Sequence, residues 1–262
     1  MQSFKIITSL FILIIITSTL HAQKIEWFKN SSNPAMPNGG EKELKDFVKT
    51  EFIYPKQALE NRITGDVFIT YKVNNNGKVI NRVADSLGNY LLIKEALRVF
   101  DKIIWEPNQD RNPTAFEGDQ LKFIFNPKAY KRLVKKRAYD AHPKTEHKQT
   151  DDTNYYTINQ LDEKPSITNA KSINAFISAN FSYPSIALQR EISGRVTVEF
   201  IIEPYGLATN VKVIEAVSGG CSEETVRLVK AMKWKPGIRN NEAVRTLFNY
   251  QLNFVHPGSS IR

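Results

Sequence analysis

The feature that most constrains this chain is an internal repeat. Tyr54-Pro55 recurs as Tyr183-Pro184, and the same spacing of 129 residues relates Ala58 to Ala187, Gly65 to Gly194, Gly77 to Gly206, Asn81 to Asn210, Glu95 to Glu224, Trp105 to Trp234 and Pro107 to Pro236. The 56 positions from Phe52 to Pro107 contain 14 identities without a gap, where unrelated segments of average composition give roughly three. Self-similarity at one period outranks any local assignment. The 262 residues therefore hold two copies of one domain, each of ordinary domain size.

Both copies read as the same series of elements. Apolar triads at helical spacing, Leu44, Phe47 and Val48 or Ile173, Phe176 and Ile177, predict a short leading helix. Tyr-Pro then opens a second short helix, since proline suits the first helical position, with Ala58 and Leu59 or Ala187 and Leu188 on its buried side. Period-2 alternation at Val67, Ile69, Tyr71 and Val73, and at Val196, Val198, Phe200 and Ile202, predicts a strand with one buried face. Asn76-Gly77 and Pro204-Tyr205-Gly206 turn the chain into a second strand. A main helix follows, with Ala96, Val99, Phe100 and Ile103, or Thr225, Leu228, Val229 and Met232, on one stripe. Ser222 reads as its N-cap in the second copy. Trp105 and Trp234 anchor the end of that helix in the core, and Pro107 and Pro236 block its continuation. The last strands span Leu121 to Phe125 and Leu247 to Val255, and an insertion-like polar loop, Gln109 to Gly118, precedes the first of them. The fold class is α+β: two tandem modules, each a small antiparallel three-stranded sheet with helices on one face.

Lys5 followed by the apolar run Leu10 to Ile16 and the small polar residues up to Ala22 reads as an export signal over residues 1–22; an uncleaved anchor is the rival reading. Module 1 then spans 37–127, a basic and polar linker 128–160, and module 2 161–257. A formal charge of +9 would suggest nucleic acid in a cytosolic protein. After export no nucleic-acid partner is expected, and the basic surface meets envelope polymers, lipid headgroups or acidic protein segments.

Catalysis finds no support. There is no phosphate-binding glycine loop, no Gly-x-Ser-x-Gly elbow and no metal-spaced His/Cys cluster, so no enzyme, cofactor or metal is expected. His142 and His147 lack ligating neighbours at suitable spacing. The single cysteine, Cys221, precedes a helix start, where a thiolate would be stabilised, but no partner base recurs beside it.

The ordered series Tyr-Pro-x-x-Ala, a Gly-x-Val strand, a glycine turn and Trp-x-Pro before a last strand resembles the TonB C-terminal domain. Module 2 is the closer match, through Tyr183-Pro184-Ser185-Ile186-Ala187, Gly194-Arg195-Val196, Gly206, Asn210-Val211 and Trp234-Lys235-Pro236-Gly237. The resemblance implies a periplasmic or envelope protein of a Gram-negative bacterium. Such a module binds the N-terminal box of an outer-membrane receptor by strand addition and supports energy-dependent transport. It assigns partner contacts to Phe181 and Ser182 and to Leu247, Phe248, Asn249, Tyr250, Gln251 and Leu252. An ExbB/ExbD-like motor, peptidoglycan and a homodimer partner stay open, as does an envelope scaffold that transduces no energy. A transducer's long proline-rich arm is missing: residues 23–36 are the whole connection to module 1, at most about 50 Å when fully extended.

Overall fold

The computed structural model describes residues 24–31, 33–85, 89–110, 118–150 and 152–258. The stretch read as an export signal, 1–22, lies outside them. Module 1 runs through β1 (Lys24–Phe28), α1 (Gly40–Glu51), α2 (Lys56–Glu60), β2 (Gly65–Val73), β3 (Val79–Asp85), α3 (Tyr90–Asp101) and β4 (Asp119–Phe125). Its antiparallel sheet has the order β1-β4-β2-β3. Alternation along β2 puts Val67, Ile69, Tyr71 and Val73 into the core, where Leu44, Phe47 and Val48 of α1 and Ala96, Val99 and Phe100 of α3 meet them. The valine, isoleucine, leucine and phenylalanine side chains among them each stabilise by about 1.5–3 kcal/mol when fully buried.

The chain continues through α4 (Pro127–Arg137), β5 (Lys148–Gln149), β6 (Tyr155–Tyr156), a single 3-10 turn and β7 (Ser166–Ile167). Module 2 comprises α5 (Ile173–Asn180), α6 (Ser185–Gln189), β8 (Gly194–Ile202), β9 (Ala208–Glu215), α7 (Cys221–Ala231), β10 (Trp234–Lys235), β11 (Gly237–Arg239) and β12 (Glu242–Phe254). Strands β12, β8 and β9 repeat the order β4, β2, β3. The expected three-stranded antiparallel core is present in each module, and further strands are added to it.

Several repeat identities resolve into single contacts. The Tyr54 hydroxyl donates to the carbonyl of Ile63, and Tyr183 donates to Ile192, which fastens the Tyr-Pro helix to the start of the following strand. Gly77 and Gly206 have φ of 81° and 82°. A Cβ there would lie 2.4 Å from the Trp105 carbonyl oxygen and 2.3 Å from that of Trp234, so both the backbone and the close approach require glycine. The repeated Gly and Trp positions are thus two halves of one contact, and both indoles are buried in the core.

Six local expectations change. The basic stretch 128–137 packs on module 1: Asn126 caps α4, Tyr130 and Leu133 bury against module 1, and Arg137 donates to the carbonyls of Lys49, in the last turn of α1, and Phe52, just beyond it. Residues 24–28 are a strand and not a free connection. The loop before β4 inserts no length, because Gly65 pairs with Phe125 and Gly194 with Phe254, which preserves the repeat spacing; module 2 uses the same length for its β11–β12 hairpin. Leu188 is exposed. The prolines of Tyr-Pro and Gly220 are N-caps, while Ser222 bonds back to Val217.

Buried charge joins the modules. Glu51, fully buried at the end of α1, accepts from Lys102 Nζ at 2.8 Å, from Arg98 and from the Tyr205 hydroxyl of module 2. Glu203, equally buried, pairs with Arg245 at 3.2 Å and accepts from Thr209 at 2.6 Å. Arg245 in turn donates to the Lys102 carbonyl of module 1 at 2.9 Å. A second contact sets Glu43 against the Val211 N–H and Lys230.

His142 closes this network. Its ring stacks on Tyr205 at 4.0 Å, and Nε2 lies 3.0 Å from the Glu51 carbonyl. Burial pushes its pKa below the free-imidazole value; Glu51 opposes this, and Arg98 and Lys102 reinforce it. The unfolded chain therefore takes up the proton more readily. Its stabilising contribution is complete above about pH 6.5 and is lost as pH falls through the folded value. Urea midpoints are expected to drop between about pH 7.5 and 5.5, less steeply in His142→Asn. An unchanged slope in that variant would remove His142 from the effect.

Candidate docking edge

Strand β12 has two unlike sides. Along one it pairs with β8 from Thr246 opposite Ile202 to Phe254 opposite Gly194. On the other, β5 pairs in parallel with Glu242 and Ala243, across β12 from the β11 hairpin. Thr246 pairs with Tyr156 as well as Ile202, which places β6 on that outer side too. From Leu247 to Phe254 no strand among the described residues pairs with the outer side. This stretch carries all six strand residues singled out from the sequence, Leu247 to Leu252.

The exposed side chains along it are Asn249, Gln251 and Asn253, and Phe248 and Tyr250 are half-buried against the module core. Protective edges usually carry lysine, proline or a bulge. Here the row is neutral amide, which leaves the backbone donors and acceptors approachable. Phe248 rests on Trp234 at 5.2 Å between ring centres, so the edge is backed by the core.

Phe181 and Ser182, on the segment after α5, divide. The Phe181 ring lies 5.4 Å from Phe254 and 6.0 Å from Tyr183, which brings it to the far end of the edge. The Ser182 backbone N–H donates to Glu224 Oε1 at 2.8 Å, and Arg227 donates to Glu224 and to the Asn180 carbonyl. Arg227 holds the Glu224 pKa down through its hydrogen bond, against burial. Module 1 repeats this clamp: Glu95 accepts from the Ile53 N–H, and Arg98 reaches Glu95 and the Glu51 carbonyl. Both members of the clamp are identical between the copies, a signal in the repeat whose chemistry the sequence reading left unused.

The same edge is closed in module 1. Strand β1 pairs antiparallel along the outer side of β4, from Lys24 opposite Ile124 to Phe28 opposite Gln120. At the repeat spacing, Gln120, Lys122 and Ile124 are the counterparts of Asn249, Gln251 and Asn253. The aromatic end is closed as well, since Tyr130 of α4 sits 5.8 Å from Phe52 and 5.4 Å from Tyr54. Phe52 is fully buried, whereas its counterpart Phe181 is only half-buried.

Cys221 is buried, and burial, then Glu223, pushes its thiol pKa up, the reverse of an activated thiolate. Among the described residues no His, Cys, Asp and Glu grouping could hold a metal, and no helix is long and apolar enough to cross a membrane.

Comparison with curated proteins gives no match. Comparison with protein families matches residues 50–127 and 179–255 to the family described as Gram-negative bacterial TonB protein C-terminal, a protein-interaction family of the envelope. With one match on each module and more than half its length covered, the chain belongs to the TonB C-terminal family and carries that domain twice.

Proposed function

We propose that this protein works in the Gram-negative envelope, after export, as an interaction module for outer-membrane receptors. Module 2, residues 161–257, takes up an extended receptor segment by strand addition on the outer side of β12 and so supports energy-dependent transport. The observation that carries this reading is the outer side from Leu247 to Phe254, which no strand among the described residues pairs with. Backbone hydrogen bonds supply affinity there and alternate side chains supply selectivity. The partner-binding residues are Leu247, Phe248, Asn249, Tyr250, Gln251 and Leu252, with Phe181 at the end of the groove; Ser182 contributes through the clamp that positions Phe181.

One observation favours a second reading, a scaffold that binds envelope proteins or peptidoglycan without transducing energy. The buried hydrogen bonds from Tyr205 to Glu51 and from Arg245 to the Lys102 carbonyl hold the modules as a single body, which suits a spacer. The test is titration of the full chain with synthetic N-terminal segments of outer-membrane receptors, read by backbone amide protection. One segment is expected to bind per chain and protect amides between Leu247 and Phe254. Binding of no segment, or protection confined to another surface, would leave the scaffold reading in place.

A further inference from the structure

We propose that module 1 carries a second docking edge, closed in the resting chain by the protein's own N-terminal strand. The inference rests on the strand-addition reading of module 2: β1 occupies in module 1 the place that module 2 leaves open.

Three observations point to an occupant. First, β1 is an added strand, since the module 2 core of β12, β8 and β9 is built without its counterpart. Second, β1 supplies side chains the way a docked segment would. Ile25 is buried, and the Trp27 ring lies 6.5 Å from Trp105. In module 2 the corresponding indole, Trp234, is met by Phe248 of β12 itself. The counterpart of Phe248 in module 1 is Asp119, which offers no ring and instead accepts from the N–H groups of Ser31 and Ala35. Third, the outward residue of β1, Glu26, faces Lys122 at 3.6 Å. The edge therefore takes an extended segment with an acidic residue between an aliphatic and an aromatic one.

The tether accounts for the closed state. Only residues 29–30 separate β1 from the Ser31 anchor on Asp119, and a short link holds an internal ligand at an effective concentration on the order of millimolar. A free segment of micromolar affinity competes poorly against that. The resting protein offers one edge, and release of β1 makes it bivalent.

The test uses the full chain with a specific protease site inserted after Asn30, and a labelled synthetic copy of residues 23–30 as probe. After cutting, β1 is no longer tethered and exchanges with the probe. The folded, cut chain is expected to take up one probe more than the uncut chain, with amide protection retained along β4. A peptide of scrambled order should not replace it. Linking Glu26→Cys to Lys122→Cys by a disulfide before cutting should abolish the added site. A folded cut chain with no added uptake overturns the proposal. So does loss of the module 1 fold once β1 leaves, read by circular dichroism, because β1 would then be a structural strand. Probe uptake on cutting, with no receptor segment bound at β12, would sink the module 2 reading and leave the closed edge of module 1 standing. Receptor-segment binding at β12 without gain on cutting would do the opposite.

Discussion

Replacing Glu51 by alanine is expected to destabilise the chain by about 3–5 kcal/mol, the usual consequence of removing one partner from a buried ion pair. The carboxylate is fully buried, and Lys102, almost as buried, has its ammonium 2.8 Å away. Burial alone would raise the Glu51 pKa; Lys102, then Arg98 and His142, outweigh it and hold the carboxyl well below the usual range. Without it the Lys102 charge keeps Glu203 at 4.0 Å as its remaining carboxylate neighbour, and the Tyr205 hydroxyl loses its acceptor. Since Tyr205 belongs to module 2, the loss falls on the contact between modules. One cooperative unfolding transition in the parent is expected to separate into two in Glu51→Ala, module by module. Glu51→Gln, which keeps the shape and an acceptor, should lose less. A cost below about 1 kcal/mol with a single transition retained would show that the charge network does not couple the modules.

Much of this architecture was legible because the two copies check each other. The alternation of β2 and β8, the stripes of α3 and α7 and the buried tryptophans follow from side-chain periodicity and recur at one spacing. What the sequence concealed lies where the copies differ. Glu51 corresponds to Asn180, so repetition gave it no weight, and its partners Arg98, Lys102 and Tyr205 are brought to it by tertiary packing alone. Five residues are too few for β1 to show a period, and β5, β6 and β7, at two residues each, have none. In α4 the three buried residues, Pro127, Tyr130 and Leu133, are outnumbered by lysines and arginines, which makes a packed helix resemble a solvated charge run. The docking edge falls between these cases. Its strand was readable, but the contrast between an open β12 and a closed β4 depends on β1 and α4, which were not.

That contrast gives the most discriminating test of how a partner docks. A receptor segment on the outer side of β12 would present alternate N–H groups to the strand, with the intervening ones facing away. N-methylation along a synthetic segment that binds is therefore expected to act with period 2. A methyl at an inward-facing amide removes a donor and intrudes into a strand spacing of about 4.8 Å. Leaving the facing carbonyl without a donor costs about 1–3 kcal/mol, or roughly 5- to 150-fold in affinity. A methyl at the next residue should change affinity little. Modifying the peptide leaves β12 and its ladder with β8 intact, so a loss of binding cannot come from a damaged fold. The sensitive positions should fall within the length of Leu247 to Phe254, because β5 and β6 close the outer side from Thr246 back to Glu242. Even sensitivity along the segment, or none, would mean that side chains and not backbone pairing hold the partner, and strand addition on β12 would have to be abandoned.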